Sequence, residues 1–137
     1  MLTLRGRIWK DGRFFVAEIP ILDAVTQGRT KREALAMAVD WIRTMADNRR
    51  LRIEAVARGA NRFEVETDDV RAMIPLLLKR ARERSGHSLA RIARELKAHS
   101  RNAYARYERG DSVPTVEKFF ELWHAARPGS RLVLEEC

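Results

Sequence analysis

The sequence has almost no cysteine. Its single thiol, Cys137, is the last of 137 residues, which excludes a disulfide within the chain. Long apolar runs are also missing. None nears the roughly 18–20 residues that span a bilayer, and the opening Met1-Leu2-Thr3-Leu4-Arg5-Gly6-Arg7 puts arginines where a signal peptide needs its apolar core. These absences predict a cytoplasmic protein with no membrane partner. There is no glycine-rich phosphate loop and no serine elbow. His87, His99 and His124 lack ligand spacing and a neighbouring cysteine pair, so no metal site is expected. Asp11, Glu18 and Asp23 form the one conceivable acidic cluster, yet a turn explains Asp11 and a loop after a proline explains Asp23. The sequence therefore predicts no enzyme and no cofactor.

Charge is abundant and unevenly placed. Hydrophobic residues make up 45% and charged residues 34%, the balance of a folded chain rather than a disordered one. The net charge is +8, and residues 79–109 carry most of it. That stretch holds ten Lys and Arg against Glu83, Glu95 and Glu108, a local +7 in 31 residues. Residues 1–78 sum to +3 and residues 110–137 to −2. So concentrated an excess suits a polyanion.

The first half reads as a small sheet with a helix across it. Residues 2–9 alternate apolar and polar, as a half-buried strand does. Asp11-Gly12 then predicts a type I′ hairpin turn, and residues 14–19 the returning strand, ended by Pro20. Thr30 and Glu33 fit a capping box. Ala34, Leu35, Ala38, Ile42 and Met45 follow at helical spacing, widened by Val39 and Trp41, so the helix should run to about Asn48. Strands near 52–57 and 62–67 flank a Gly59-Ala60-Asn61 turn. Trp9, Phe14 and Phe15 are read as core.

The second half reads as helices. One starts at Asp68 or Asp69, buries Ile74, Leu77, Leu78 and Ala81, and stops at Ser85-Gly86; Pro75 demands a later start or a bend. Ser88 caps the next, which carries Leu89, Ile92, Ala93 and Leu96 inward. After Lys97-Ala98-His99, Ser100 caps a third that ends at Gly110. Tyr104 and Tyr107 should face the core. A last helix from Val113-Pro114-Thr115 to Pro128-Gly129 closes it with Val116, Phe119, Phe120, Leu122 and Trp123.

Two short helices joined by a tight turn place the second in a major groove. Arg101 matches guanine O6/N7 and Asn102 matches adenine N6/N7, with Ala103 beside them. Ser88 and Ser100 offer amides and hydroxyls to phosphates, and Lys97, Arg106 and Arg109 offer charge. The fold class is α+β: a small antiparallel sheet with one packed helix (1–67), then an all-α helix-turn-helix bundle (68–137).

At these residues the chain resembles the XRE family, the Cro and phage-repressor type of helix-turn-helix. The resemblance covers about 74–127. It rests on Ser88-Leu89-Ala90-Arg91-Ile92-Ala93-Arg94-Glu95-Leu96 and on Arg106-Tyr107-Glu108-Arg109-Gly110 with Pro114 following. The turn is one residue longer than usual, and Leu89 stands where glutamine is common. The first half resembles a HicB antitoxin domain through residues 11–20, Thr26-Gln27-Gly28 and Glu33-Ala34-Leu35, with Asp23-Ala24-Val25 replacing a Pro-Gly-Cys-like segment. That resemblance implies a partial ribonuclease H fold without its catalytic acids, which binds and blocks HicA, a small RNA-cleaving toxin. Together the two imply an antitoxin that also represses its operon, acting as a homodimer or homotetramer on double-stranded operator DNA. A stand-alone XRE-type regulator, whose first domain only oligomerises or senses a ligand, is the alternative.

Overall fold

The computed structural model describes residues 1–97 and 101–136, with only the backbone of Arg101. The contacts divide the chain into two compact units, 1–76 and 77–137. This division lies nine residues beyond the sequence-based boundary at 67/68.

The first unit contains five strands, β1 (Leu2–Asp11), β2 (Phe14–Ile19), β3 (Ala24–Gly28), β4 (Glu54–Ala57) and β5 (Arg62–Thr67). They form one antiparallel sheet in the order β3-β2-β1-β5-β4. The alternation of β1 settles its register. Ile8 faces Ala17, Leu4 faces Val65 and Gly6 faces Phe63, and all of these are buried on one side. Gly6 is required there because the Phe63 ring fills the space its side chain would take: a Cβ would lie 2.2 Å from Phe63 Cζ.

Helix α1 (Lys31–Met45) packs against β2, β3 and β4 and buries Ala34, Ala38 and Ile42. Leu35, Val39, Trp41 and Met45 are half-buried flanks. Thr30 Oγ1 accepts from the Glu33 amide at 3.0 Å, as the capping box requires. The Glu33 carboxylate reaches one residue further back than expected and accepts from the Arg29 amide at 3.1 Å. Gly28 lets the strand touch this first turn, since a Cβ would lie 2.5 Å from the Ala34 nitrogen.

Four expectations need correcting. The hairpin loop is Gly12-Arg13, with Asp11 still paired to Phe14. Gly12 alone of the two has positive φ, +59°, so the turn follows type II′, which wants glycine first. Helix α1 stops at Met45 because Asp47 turns left-handed at φ +50°. Amides of Asp47 and Asn48 then donate to Thr44 and Arg43, closing a Schellman motif without glycine. The fourth strand starts at Glu54, two residues late. Trp9 and Phe14 are not core: they are 40% and 37% exposed, on the sheet face away from Ile8 and Ala17, and Phe15 is half-buried.

Helix α2 (Val70–Ser85) runs through the division between the units. Asp69 is its cap and accepts from the Ala72 amide at 3.3 Å. Pro75 lies six residues in, beyond the first turn, so the helix does not start later; it continues through the proline and omits the one bond that proline cannot donate. Ile74 is half-buried, while Met73 and Leu76 join the expected stripe.

The second unit adds α3 (Leu89–Glu95), α4 (Arg101–Glu108) and α5 (Val116–Ala126). Its core includes Leu78, Ala81, Ile92, Ala93, Tyr104, Ala105, Leu122 and Trp123. Thr115 caps α5 by accepting from Lys118 at 3.1 Å. Val116 and Phe120 are 71% and 37% exposed and do not close the core as expected. They share the outer face of α5, four residues apart, while Leu122, Trp123 and Ala126 supply its inner one.

Candidate nucleic-acid interface

The helix pair α3 and α4 builds the site. Ile92 and Ala93 anchor α3 in the core, and Ser88 Oγ accepts from the Arg91 amide at 3.1 Å. The Ser88 side chain is thus an N-cap, exposed, with its hydroxyl proton still available to a phosphate. After Glu95 the chain leaves the helix through Lys97, which takes the left-handed conformation at φ +53°.

Two fixtures orient α4. Tyr104 is fully buried, and its hydroxyl donates to the Leu78 carbonyl of α2 at 3.2 Å. Burial, reinforced by the nearby Glu108 charge, pushes that phenol well above its ordinary value and keeps it protonated. At the far end Arg82 of α2 grips Glu108 with two bonds, Nε to Oε1 at 2.6 Å and Nη2 to Oε2 at 3.1 Å. Its remaining Nη1 donates to the His87 carbonyl at 3.0 Å. The Glu108 hydrogen bond raises the Arg82 pKa, so this largely buried guanidinium stays charged. Gly110, at φ +77°, then closes α4: its amide donates to Tyr107 and that of Asp111 to Arg106.

With Tyr104, Ala105 and Glu108 turned inward, helical spacing turns Asn102, Ala103 and Arg106 outward, and all three are exposed. The structure therefore brings Asn102, Ala103 and Arg106 together on one face of a helix fixed at both ends. Tyr107 is half-buried. Ser100, His99 and the Arg101 side chain lie outside the described residues. Arg109 is exposed and paired on the surface. Its Nε donates to Asp111 Oδ2 at 2.9 Å in a pair whose two side chains are about half exposed.

Arg91 and Arg94 were not singled out from the sequence. With Glu95 and Lys97 they line an open depression beside the turn. Arg91, Arg94, Lys97 and Arg106 make no ion pair among the described residues, whereas Arg82 and Arg109 do. The sequence signal for them is a pair of cations three apart, on the side of α3 opposite Ile92 and Ala93.

Residues 78–122 match the family model described as Helix-turn-helix. Over this stretch the chain is similar to the XRE type of helix-turn-helix. The stretch spans the C-terminal half of α2, both helices of the site and most of α5, and it supports a DNA-binding module of the kind found in transcription regulators. No curated protein matches the chain. Among the described residues, no helix is long and apolar enough to cross a membrane.

Proposed function

We propose that the chain is a HicB-type antitoxin, which binds an RNA-cleaving HicA-type toxin through its first unit and represses its own operon through its second. The regulator half of this reading rests on the helix-turn-helix just described. The antitoxin half rests on the sheet unit, whose motifs follow the HicB pattern in order.

The observation that carries it is the outer face of that sheet. The cross-strand register puts Trp9 beside Val16, with Phe14 and Val25 at neighbouring positions, on the side away from the buried Ile8 and Ala17. Trp9, Phe14 and Val25 are 40%, 37% and 60% exposed. An aromatic and aliphatic patch of this kind, rimmed by the Arg7–Glu18 pair at 2.9 Å, is composed as interface centres are. Nothing in DNA recognition calls for such a surface, so it suits a protein partner. The chain acts by binding both partners and performs no catalysis of its own.

Co-expression tests the reading. The small reading frame adjacent to the gene should arrest growth alone and be harmless beside this chain. If the frame is innocuous alone, or still toxic beside the chain, the antitoxin half fails. Operator binding that survives such a failure would leave a regulator whose first unit only oligomerises.

A further inference from the structure

The +3 of residues 1–78 is not spread evenly over the first unit. Residues 10–13 and 29–33 hold Lys10, Arg13, Arg29, Lys31 and Arg32 against Asp11 and Glu33, and the remaining charges of that half cancel. These two segments are distant in the chain, and the sheet brings them together. Lys10 faces Phe15 and Phe15 faces Gly28, so adjoining ends of β1, β2 and β3 form one row. Gly28 thus lies roughly 10 Å from Lys10 across two strand spacings, and Arg29 follows it. The first turn of α1 sits against the same Gly28. All five cations are exposed.

These cations oppose the helix they adjoin. Lys31 and Arg32 open α1, where the positive end of the helix dipole favours acids and disfavours positive side chains. Glu33 is the one acid of that turn, and its carboxylate is turned to the Arg29 amide. Lys10, Arg13, Arg29 and Arg32 make no ion pair among the described residues. Lys31 is fixed without being neutralised. Its Nζ donates to the Ala60 carbonyl at 2.7 Å and stands 6.0 Å from the centre of the Phe15 ring. A local conflict of this kind is expected where function sets the residues, and its sign suits phosphate.

We propose that this end of the first unit is a second nucleic-acid site, which holds the phosphate backbone of a single strand. Five cations on two segments exceed what one free phosphate can occupy, so the ligand is a polymer. Phe14, beside Arg13 and 37% exposed, offers a ring to an unstacked base, which a single strand presents and a duplex keeps inside. Phosphate contacts carry no base code, so the binding is independent of sequence. The site uses neither the helix-turn-helix nor a toxin, and it can fail while both of those remain.

Anisotropy of a short fluorescent oligouridylate RNA with the full chain, across a salt series, tests the site. Lys10→Gln, Arg13→Gln, Arg29→Gln and Arg32→Gln combined should raise the Kd about tenfold or more. They should also lower the slope of log K against log salt by about 3, at about 0.7 per cation. Arg94→Gln with Arg106→Gln should leave RNA binding nearly unchanged while weakening the operator duplex. Arg32→Glu alone should weaken RNA binding yet raise the thermal midpoint, because an acid is favoured at the start of a helix. An oligothymidylate of equal length separates the sources: equal affinity assigns the contact to the backbone alone, and tighter RNA binding adds the 2′-hydroxyl. RNA affinity untouched by the fourfold variant, or lost instead with Arg94 and Arg106, would overturn the site. So would an Arg32→Glu protein that keeps its RNA and loses stability.

Discussion

Lys97 holds two roles that pull against each other. Its backbone is left-handed, a conformation that a side chain makes costly by about 1 kcal/mol and that glycine adopts freely. Its side chain lines a depression together with Arg91, Arg94 and Glu95. Lys97→Gly should therefore raise the unfolding free energy by about 1 kcal/mol in a urea titration while weakening binding to every duplex alike. A variant that lost stability would show that the left-handed turn is not strained. Tyr104 makes the second residue-level case. Its folded phenol titrates above the usual value near 10, so above that pH the unfolded state holds fewer protons than the folded one. Stability is then fully present below pH 10 and falls as pH rises beyond it. Tyr104→Phe should cost about 1 kcal/mol at neutral pH, through the lost bond to Leu78, and flatten the decline between pH 10 and 11. Equal slopes for the two proteins would contradict the buried position of the phenol.

At the scale of elements, the Arg82–Glu108 pair ties α2 to the end of α4, and its side chains are 16% and 8% exposed. Removing one partner leaves a charge without its match in a poorly solvated site. Arg82→Met or Glu108→Leu alone should cost about 3 kcal/mol, and the double variant less than either, because a buried pair exchanged for apolar side chains is close to neutral. Chemical denaturation of the four proteins measures the cycle; additive losses would show that the pair is not coupled. The residues Arg82 and Glu108 were visible in the sequence, but 26 positions separate them and no local pattern joins them. Local rules did better. Ser88, Thr30, Thr115, Asp69 and Gly110 cap helices as their chemistry predicts, because a cap needs only its own turn. Those rules failed where tertiary packing chose among allowed options. Asp47 turned left-handed in place of glycine, and Trp9 fell on the outer face of a strand whose alternation alone cannot say which side is covered. The outward face of α4 was legible because period 3.6 with Tyr104 inward leaves Asn102 and Arg106 outward. The depression at Arg91 and Arg94 was not, because it needs the fold of the following turn.

For the whole molecule, the distribution of matched and unmatched charge decides which cations DNA should sense. Arg7 sits against Glu18 and Arg58 against Glu64 and Glu66, so the sheet unit neutralises these locally, and the Glu64 hydrogen bond raises the Arg58 pKa. Arg94 and Arg106, in the +7 segment, have no such carboxylate among the described residues. Counterions released from DNA follow the phosphates that a protein neutralises, and an arginine already spent on a carboxylate releases few. Arg106→Gln and Arg94→Gln should each lower the slope of log K against log salt by about 1 per protomer, whereas Arg7→Gln and Arg58→Gln should leave it unchanged. Asn102→Ala should keep the full slope, since it removes no charge, and lose about 1–3 kcal/mol at a single base position of the operator. Filter binding across a salt series, repeated on operators changed one base pair at a time, separates the three classes. A slope that falls for Arg58→Gln as much as for Arg106→Gln would mean that the sheet unit also meets the duplex, and the division of labour between the units would have to be abandoned.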